Sequence, residues 1–131
     1  MMTLEEAREF FAQDRYATEL TGITVEEIAE HFSVCRLALT EKHRNAVGGV
    51  MGGVVYTLCD FAFAVATNDA EHHVVTVVSQ ISYLSAAKGS TLYATANMVK
   101  DGRRTCFYTV TVTDELGTQV AVASTTGMHV G

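Results

Sequence analysis

The stretch NAVGGVMGGVVYTLCDFAFAVATN, residues 45–68, decides the architecture. It opens with four of the chain's ten glycines and runs directly into Val54 to Asn68, whose apolar positions surround nearly the whole circumference of a helix. A helix apolar on all sides is a buried one, and its β-branched start is acceptable where packing supplies the stability. Asn68 and Asp69 end it. Upstream, Thr3 can cap a first helix that runs to about Asp14, with Glu5 and Glu6 in its first turn and Leu4, Ala7, Phe10 and Phe11 on one face. Ile23 to Val25 and His31 to Thr40 read as a hairpin. Downstream come four strand-like runs: VVTVVSQISYL from Val74, TLYATANMVK from Thr91, RTCFYTVTVTD from Arg104 and TQVAVASTTGM from Thr118. Asp101-Gly102 has the composition of a type I′ hairpin turn, and Asp114 to Gly117 suits a longer hairpin loop. The expected fold is α+β, an antiparallel β-sheet wrapped around one long central helix, with a short N-terminal helix.

At 131 residues and 48% apolar, the chain has enough material for one continuous core, and one domain spanning residues 1–131 is expected. No proline, repeat or low-complexity stretch marks a linker. Only 18% of residues are charged, few for a small monomer, so an oligomer is expected. A net charge of -6 with nine scattered Lys and Arg argues against nucleic acid as partner, since such binders carry a basic stripe. Cys35, Cys59 and Cys106 are widely spaced and fit neither a disulfide framework nor a zinc site, which points to free thiols in a reducing cytoplasm. The acidic, amphipathic N-terminus lacks the features of an export signal. The longest apolar run, Val54 to Ala66, falls short of the roughly 20 residues that a membrane span needs, so no membrane partner is expected.

The run from His43 to Ala66 closely resembles the core motif of the phenylacetate-pathway (PaaI-like) hotdog thioesterases, N-x-x-G-x-x-H-G-G-x-x-x-x-L-x-D-x-A. Asn45, Gly48, Gly52, Gly53, Leu58, Asp60 and Ala62 all fall on it. The resemblance continues through VTVVSQISYLSAAKGSTLYATA, residues 75–96, and so covers nearly the full length. It implies a hotdog fold and an acyl-CoA thioesterase acting on aromatic or medium-chain acyl groups, with CoA as part of the substrate and no separate cofactor. Two departures stand out. Met51 occupies the motif's His position, and Ser85-Ala86-Ala87-Lys88 replaces a frequent Arg-Pro-Ala, which would move the basic contact to a CoA phosphate onto Lys88. Thr76 matches a family hydroxyl that helps to position water.

Thioester hydrolysis needs donors for the developing oxyanion and a base or nucleophile near the carbonyl carbon. Gly52 and Gly53 stand at a helix start, where N–H groups are free and the dipole favours negative charge. Asp60, a lone carboxylate in an apolar helix, is expected to be buried and costly, hence functional, either activating water or attacking the thioester itself. The competing assignment is a structural Asp with a basic partner. Asn45 either contacts substrate or braces the glycine loop, and Met51 is an apolar wall for the acyl chain. His43 is a candidate for the imidazole that Met51 does not supply. His72 and His73 lack a third ligand at a recognisable spacing, and no metal site is expected. Cys59 reads as core rather than nucleophile, and Arg103 and Arg104 as either CoA-phosphate contacts or solvated turn charges. Asp60 lies seven to eight residues beyond the glycines, roughly 11 Å along a helix, so a homodimer or homotetramer with active sites shared between subunits is expected. Two rivals are a non-catalytic acyl-CoA-binding protein and a dehydratase, the latter disfavoured because no His falls in the motif.

Overall fold

The computed structural model describes residues 1–131. Two helices, α1 (Leu4–Phe11) and α2 (Gly52–Thr67), accompany six strands: β1 (Thr24–Ala29), β2 (Phe32–Ala38), β3 (His73–Tyr83), β4 (Thr91–Asp101), β5 (Thr105–Asp114) and β6 (Gln119–Val130). All strand pairs are antiparallel, in the order β1-β2-β4-β5-β6-β3. α2 packs against every one of the six, so the sheet curls around it.

Strict alternation drives that packing. In β2, β5 and the first half of β4 every second residue is buried, which puts Cys35, Leu37, Leu92, Ala94, Ala96, Val110 and Val112 on the face towards the helix. α2 answers with Val55, Leu58, Cys59, Phe61, Ala62, Phe63 and Val65. Phe63 meets Tyr108 edge to face at 5.4 Å between centroids, and the buried Ser33 hydroxyl donates to the Ala62 carbonyl oxygen at 2.6 Å. Gly127 of β6 is a point of close approach: a Cβ there would lie 2.5 Å from Val74 Cγ1 and 2.7 Å from Phe63 Cζ.

The structure departs from the sequence reading in four places. α2 is not buried all round, because Gly53 and Asp60 are exposed and Tyr56, Thr57 and Ala64 only half-buried, leaving one side of the helix open. α1 stops at Phe11, and a π-helical turn, Tyr16–Thr21, follows it. Asp14 causes the interruption by accepting from the backbone N–H of Ala17 and, through its carbonyl, from the Thr18 hydroxyl. The first hairpin turns at Glu30-His31, with His31 in the left-handed region at φ 57, and its first strand extends to Ala29 through Glu26 and Glu27. Asp101-Gly102 is not a type I′ turn, since neither residue has positive φ. The chain reverses one step later, at Arg103-Arg104, with the Gly102 N–H donating to the Thr105 carbonyl. The loop after Asp114 forms as expected, with Gly117 at φ 83.

Candidate active site

The glycine loop is a self-contained knot. Asn45 donates its N–H to the Gly49 carbonyl at 2.7 Å and accepts on Oδ1 from the N–H groups of Val47 and Gly49, each at 3.1 Å. Of the two expected roles, bracing the loop is the one that its hydrogen bonds serve. Gly48 at φ 90 supplies the left-handed residue that this reversal needs. His43 anchors the knot: its Nδ1 accepts from the Thr40 N–H at 3.0 Å, its Nε2 donates to the Thr21 carbonyl at 2.7 Å, and its own carbonyl accepts from Met51 N–H at 2.9 Å. With both ring nitrogens engaged and the side chain buried, His43 is a structural pin and does not replace the missing imidazole.

The knot delivers the chain to α2 with Met51 at the cap position and no capping side chain. The first N–H to find a helical acceptor is that of Val54, on the Met51 carbonyl at 3.0 Å. The N–H groups of Gly52 and Gly53 are left without partners, pointing out of a helix N-terminus. Tyr83, at the end of β3, fixes this end by donating its hydroxyl to the Gly52 carbonyl at 2.7 Å. A Cβ on Gly52 would stand 3.1 Å from that hydroxyl, so any larger residue there must push the tyrosine aside. Met51 is exposed beside Gly53, with its methyl 3.3 Å from where a Gly53 Cβ would be.

Asp60 corrects one expectation. It is exposed in the single chain, because it lies on the open side of α2, and it has neither a hydrogen bond nor an ion pair. No basic partner makes it a structural Asp. Protein atoms nevertheless crowd around it, and this partial burial raises its pKa above the ordinary value of 3.8, with the charge of Asp14 adding to the effect. Asp14 also lines a cleft of about 350 Å³ between the end of α1 and α2, together with Phe10, Phe11 and Ala64. Asp60 stands seven residues after Gly53, close to two turns, so both residues lie on the open side of the helix, with the free N–H groups directed along its axis at the N-terminus.

The remaining candidates are spread out. Thr76 is exposed on the edge strand β3, opposite Gly127 and beside a bulge, and its hydroxyl has no partner. It stands seven residues before Tyr83, about 23 Å along the strand, so one chain does not bring it to Gly52. Lys88 has its N–H on Asp114 Oδ2 at 2.8 Å, while its side chain is exposed at the same end of the sheet as Tyr83. Arg103 and Arg104 occupy the opposite end, away from Gly52. Cys59 is inert core, its thiol pushed up to about 12 by burial. His72 bonds only to Asp69 in its turn.

Residues 47–121 match the thioesterase superfamily. Human acyl-coenzyme A thioesterase 13 is 30% identical over 115 residues, covering 86% of this chain and 82% of the human one. The structure of the Escherichia coli PaaI protein from the phenylacetic acid degradation operon superposes with a TM-score of 0.85 at 25% identity, over 98% of this chain and 97% of that one. A Streptococcus pneumoniae hypothetical thioesterase crystallised with coenzyme A superposes with a TM-score of 0.84 at 25% identity, over 92% and 97%. No helix is long and apolar enough to cross a membrane.

Proposed function

Because this chain belongs to the thioesterase superfamily, we propose that the open face of α2 is where its thioester chemistry takes place. The fold is a hotdog fold, and the activity is that of an acyl-CoA thioesterase, hydrolysing acyl-CoA to a free acid and CoA. One observation carries the assignment: α2 offers two unpartnered N–H groups at its N-terminus and one unpartnered carboxylate on its open side.

The N–H groups of Gly52 and Gly53 would receive the carbonyl oxygen as it gains charge, an interaction that strengthens in the transition state. Asp60 acts by one of two routes. As base it takes a proton from water, the hydroxide adds to the carbonyl carbon, and the tetrahedral oxyanion collapses to expel CoA thiolate, which is then protonated. As nucleophile its oxygen displaces the thiolate to give a mixed anhydride, which water opens. The cleft walled by Phe10, Phe11 and Ala64 and rimmed by Gln13, Asp14, Asn68 and His73 would take the acyl chain, aromatic or of medium length, and Met51, about 20 Å away along α2, would add a wall only from a neighbouring subunit. Lys88, exposed at the Gly52 end, would meet a CoA phosphate, and Thr76 would join a site only from a neighbouring subunit. The enzyme works as a homodimer or homotetramer with sites shared between subunits. Three free, buried cysteines suit a reducing cytoplasm.

Met51 in the motif's His position favours a second reading, an acyl-CoA binder without turnover. A thiol-release assay across aromatic and straight-chain acyl-CoAs separates the two. Release of free CoA that depends on Asp60 is expected, whereas thermal protection by acyl-CoA with no thiol released would establish the binder.

A further inference from the structure

At the far end of α2 from Gly52, the inner face of the sheet and the β1–β2 turn enclose a cavity of about 460 Å³. Its walls include Asp101 at the end of β4, Cys106 on β5, His129 on β6 and His31 in the turn, none of which the thioesterase chemistry uses. The register brings the first three together. Asp101 sits opposite Cys106, Cys106 opposite Gly127, and His129 is two residues further along on the same face. One donor atom from each of Asp101, Cys106 and His129 lies within 4.8 Å of the others, and His129 Nε2 is 2.8 Å from Asp101 Oδ1. His31 Nε2 stands 3.9 Å from Asp101 Oδ2.

We propose that this cluster binds a zinc-like divalent cation through Cys106 Sγ, His129 Nε2 and an Asp101 oxygen, leaving a fourth position open to the cavity beside His31. Thiolate, imidazole and carboxylate together are the donor set that a borderline-soft tetrahedral ion selects. At zinc bond lengths the donors would sit about 3.3–3.8 Å apart, so the His129–Asp101 contact must open by roughly half an ångström and the cluster tighten by about one. The side chains of His129 and Asp101 are 36% and 31% exposed and lie near strand ends, so both can move. The surroundings favour a cation. Glu30 and Asp69 also line the cavity, no lysine or arginine side chain does, and the last turn of α2 presents its negative end through residues 65–68. Tyr108 Oη lies 3.2 Å from His31 Nδ1, and accepting from Nδ1–H there would turn the Nε2 lone pair towards the ion.

The test uses the full chain stripped of metal and titrated with Co²⁺. One ion per chain is expected, with the intense visible bands of a tetrahedral site and a thiolate-to-cobalt charge-transfer band, both abolished when Zn²⁺ displaces the cobalt. His129→Ala and Asp101→Asn change partly exposed strand-end residues and should each weaken binding at least tenfold, while Cys35→Ser retains the charge-transfer band. Cys106→Ser should abolish that band. Absence of the band at saturating Co²⁺, or its survival unchanged in His129→Ala and Asp101→Asn, would overturn the site.

Discussion

In the proposed mechanism Asp60 is the residue on which the chemistry turns. Asp60→Asn keeps the shape and removes the base, so thiol release should fall by at least about two orders of magnitude. Stability should hold or rise. With its folded-state pKa raised, Asp60 stabilises the fold most below its ordinary value of 3.8, and that contribution is lost as pH rises through the folded value. At neutral pH the substitution therefore removes a slight burden. Because the ionised form is the working form, wild-type kcat/KM should climb with pH through a pKa above 3.8, a limb that Asp60→Asn lacks. Turnover within threefold of wild type would sink the assignment. Met51→His restores the motif's imidazole on an exposed position and should leave hydrolysis equal or raise it, as read by the same assay. Gly52, Gly53 and Asp60 were legible in the sequence because their spacing is set within one helix. The roles of His43 and Tyr83 were not, because their partners Thr21 and Gly52 lie 22 and 31 residues away. The Asp101, Cys106 and His129 cluster was hidden for the same reason: sheet register, not local spacing, assembles it.

Among the elements, α2 was readable from its nearly continuous apolar run and the last four strands from β-branched and aromatic runs set between turn signals. What periodicity misses is backbone satisfied by side chains. Asp14 interrupts the first helical region, and the loop before β4 is held by two carboxylates that nothing in the sequence distinguished. Asp114 accepts from the N–H groups of Lys88, Gly89, Leu116 and Thr118, and Glu115 from those of Ser90 and Thr91. Removal of Asp114 from solvent opposes its ionisation, but those N–H groups outweigh it and hold its pKa well below the usual carboxylate range. Its contribution is thus present above 3.8 and lost as pH falls through the depressed value. Asp114→Asn should lower the urea midpoint clearly at about pH 7, and the difference from wild type should shrink as the medium is acidified. A constant difference at every pH would refute the ionic role. In β6, Gly127→Ala forces a methyl against Val74, Phe63 and Cys106 and should cost about 1–3 kcal/mol in urea unfolding.

For the whole molecule, the informative feature is what one chain leaves uncovered. β3 is an edge strand with Val75, Val77 and Val78 about half exposed, and an unprotected apolar edge invites pairing with another copy. Val78→Lys should yield a monomer by sedimentation velocity, with hydrolysis lost alongside. The spacing along α2 points the same way, since roughly 11 Å separates Asp60 from the glycine N–H groups. Mixing an Asp60→Ala chain with a Gly52→Val chain, each inactive alone, should restore about a quarter of wild-type activity once subunits exchange at random. Half the dimers would then be mixed, each with one intact site of two. No recovery after proven exchange would place each site within one chain. The pairing of β3 with β6 also sets an order of events at the ribosome. β3 leaves the exit tunnel well before its neighbour in the sheet, and β4 and β5 must both be synthesised before β6 exists. During that interval the nascent chain carries a valine-rich strand with neither edge satisfied, so the period of greatest exposure to chaperones and to self-association opens with β3 and closes only when β6 has emerged.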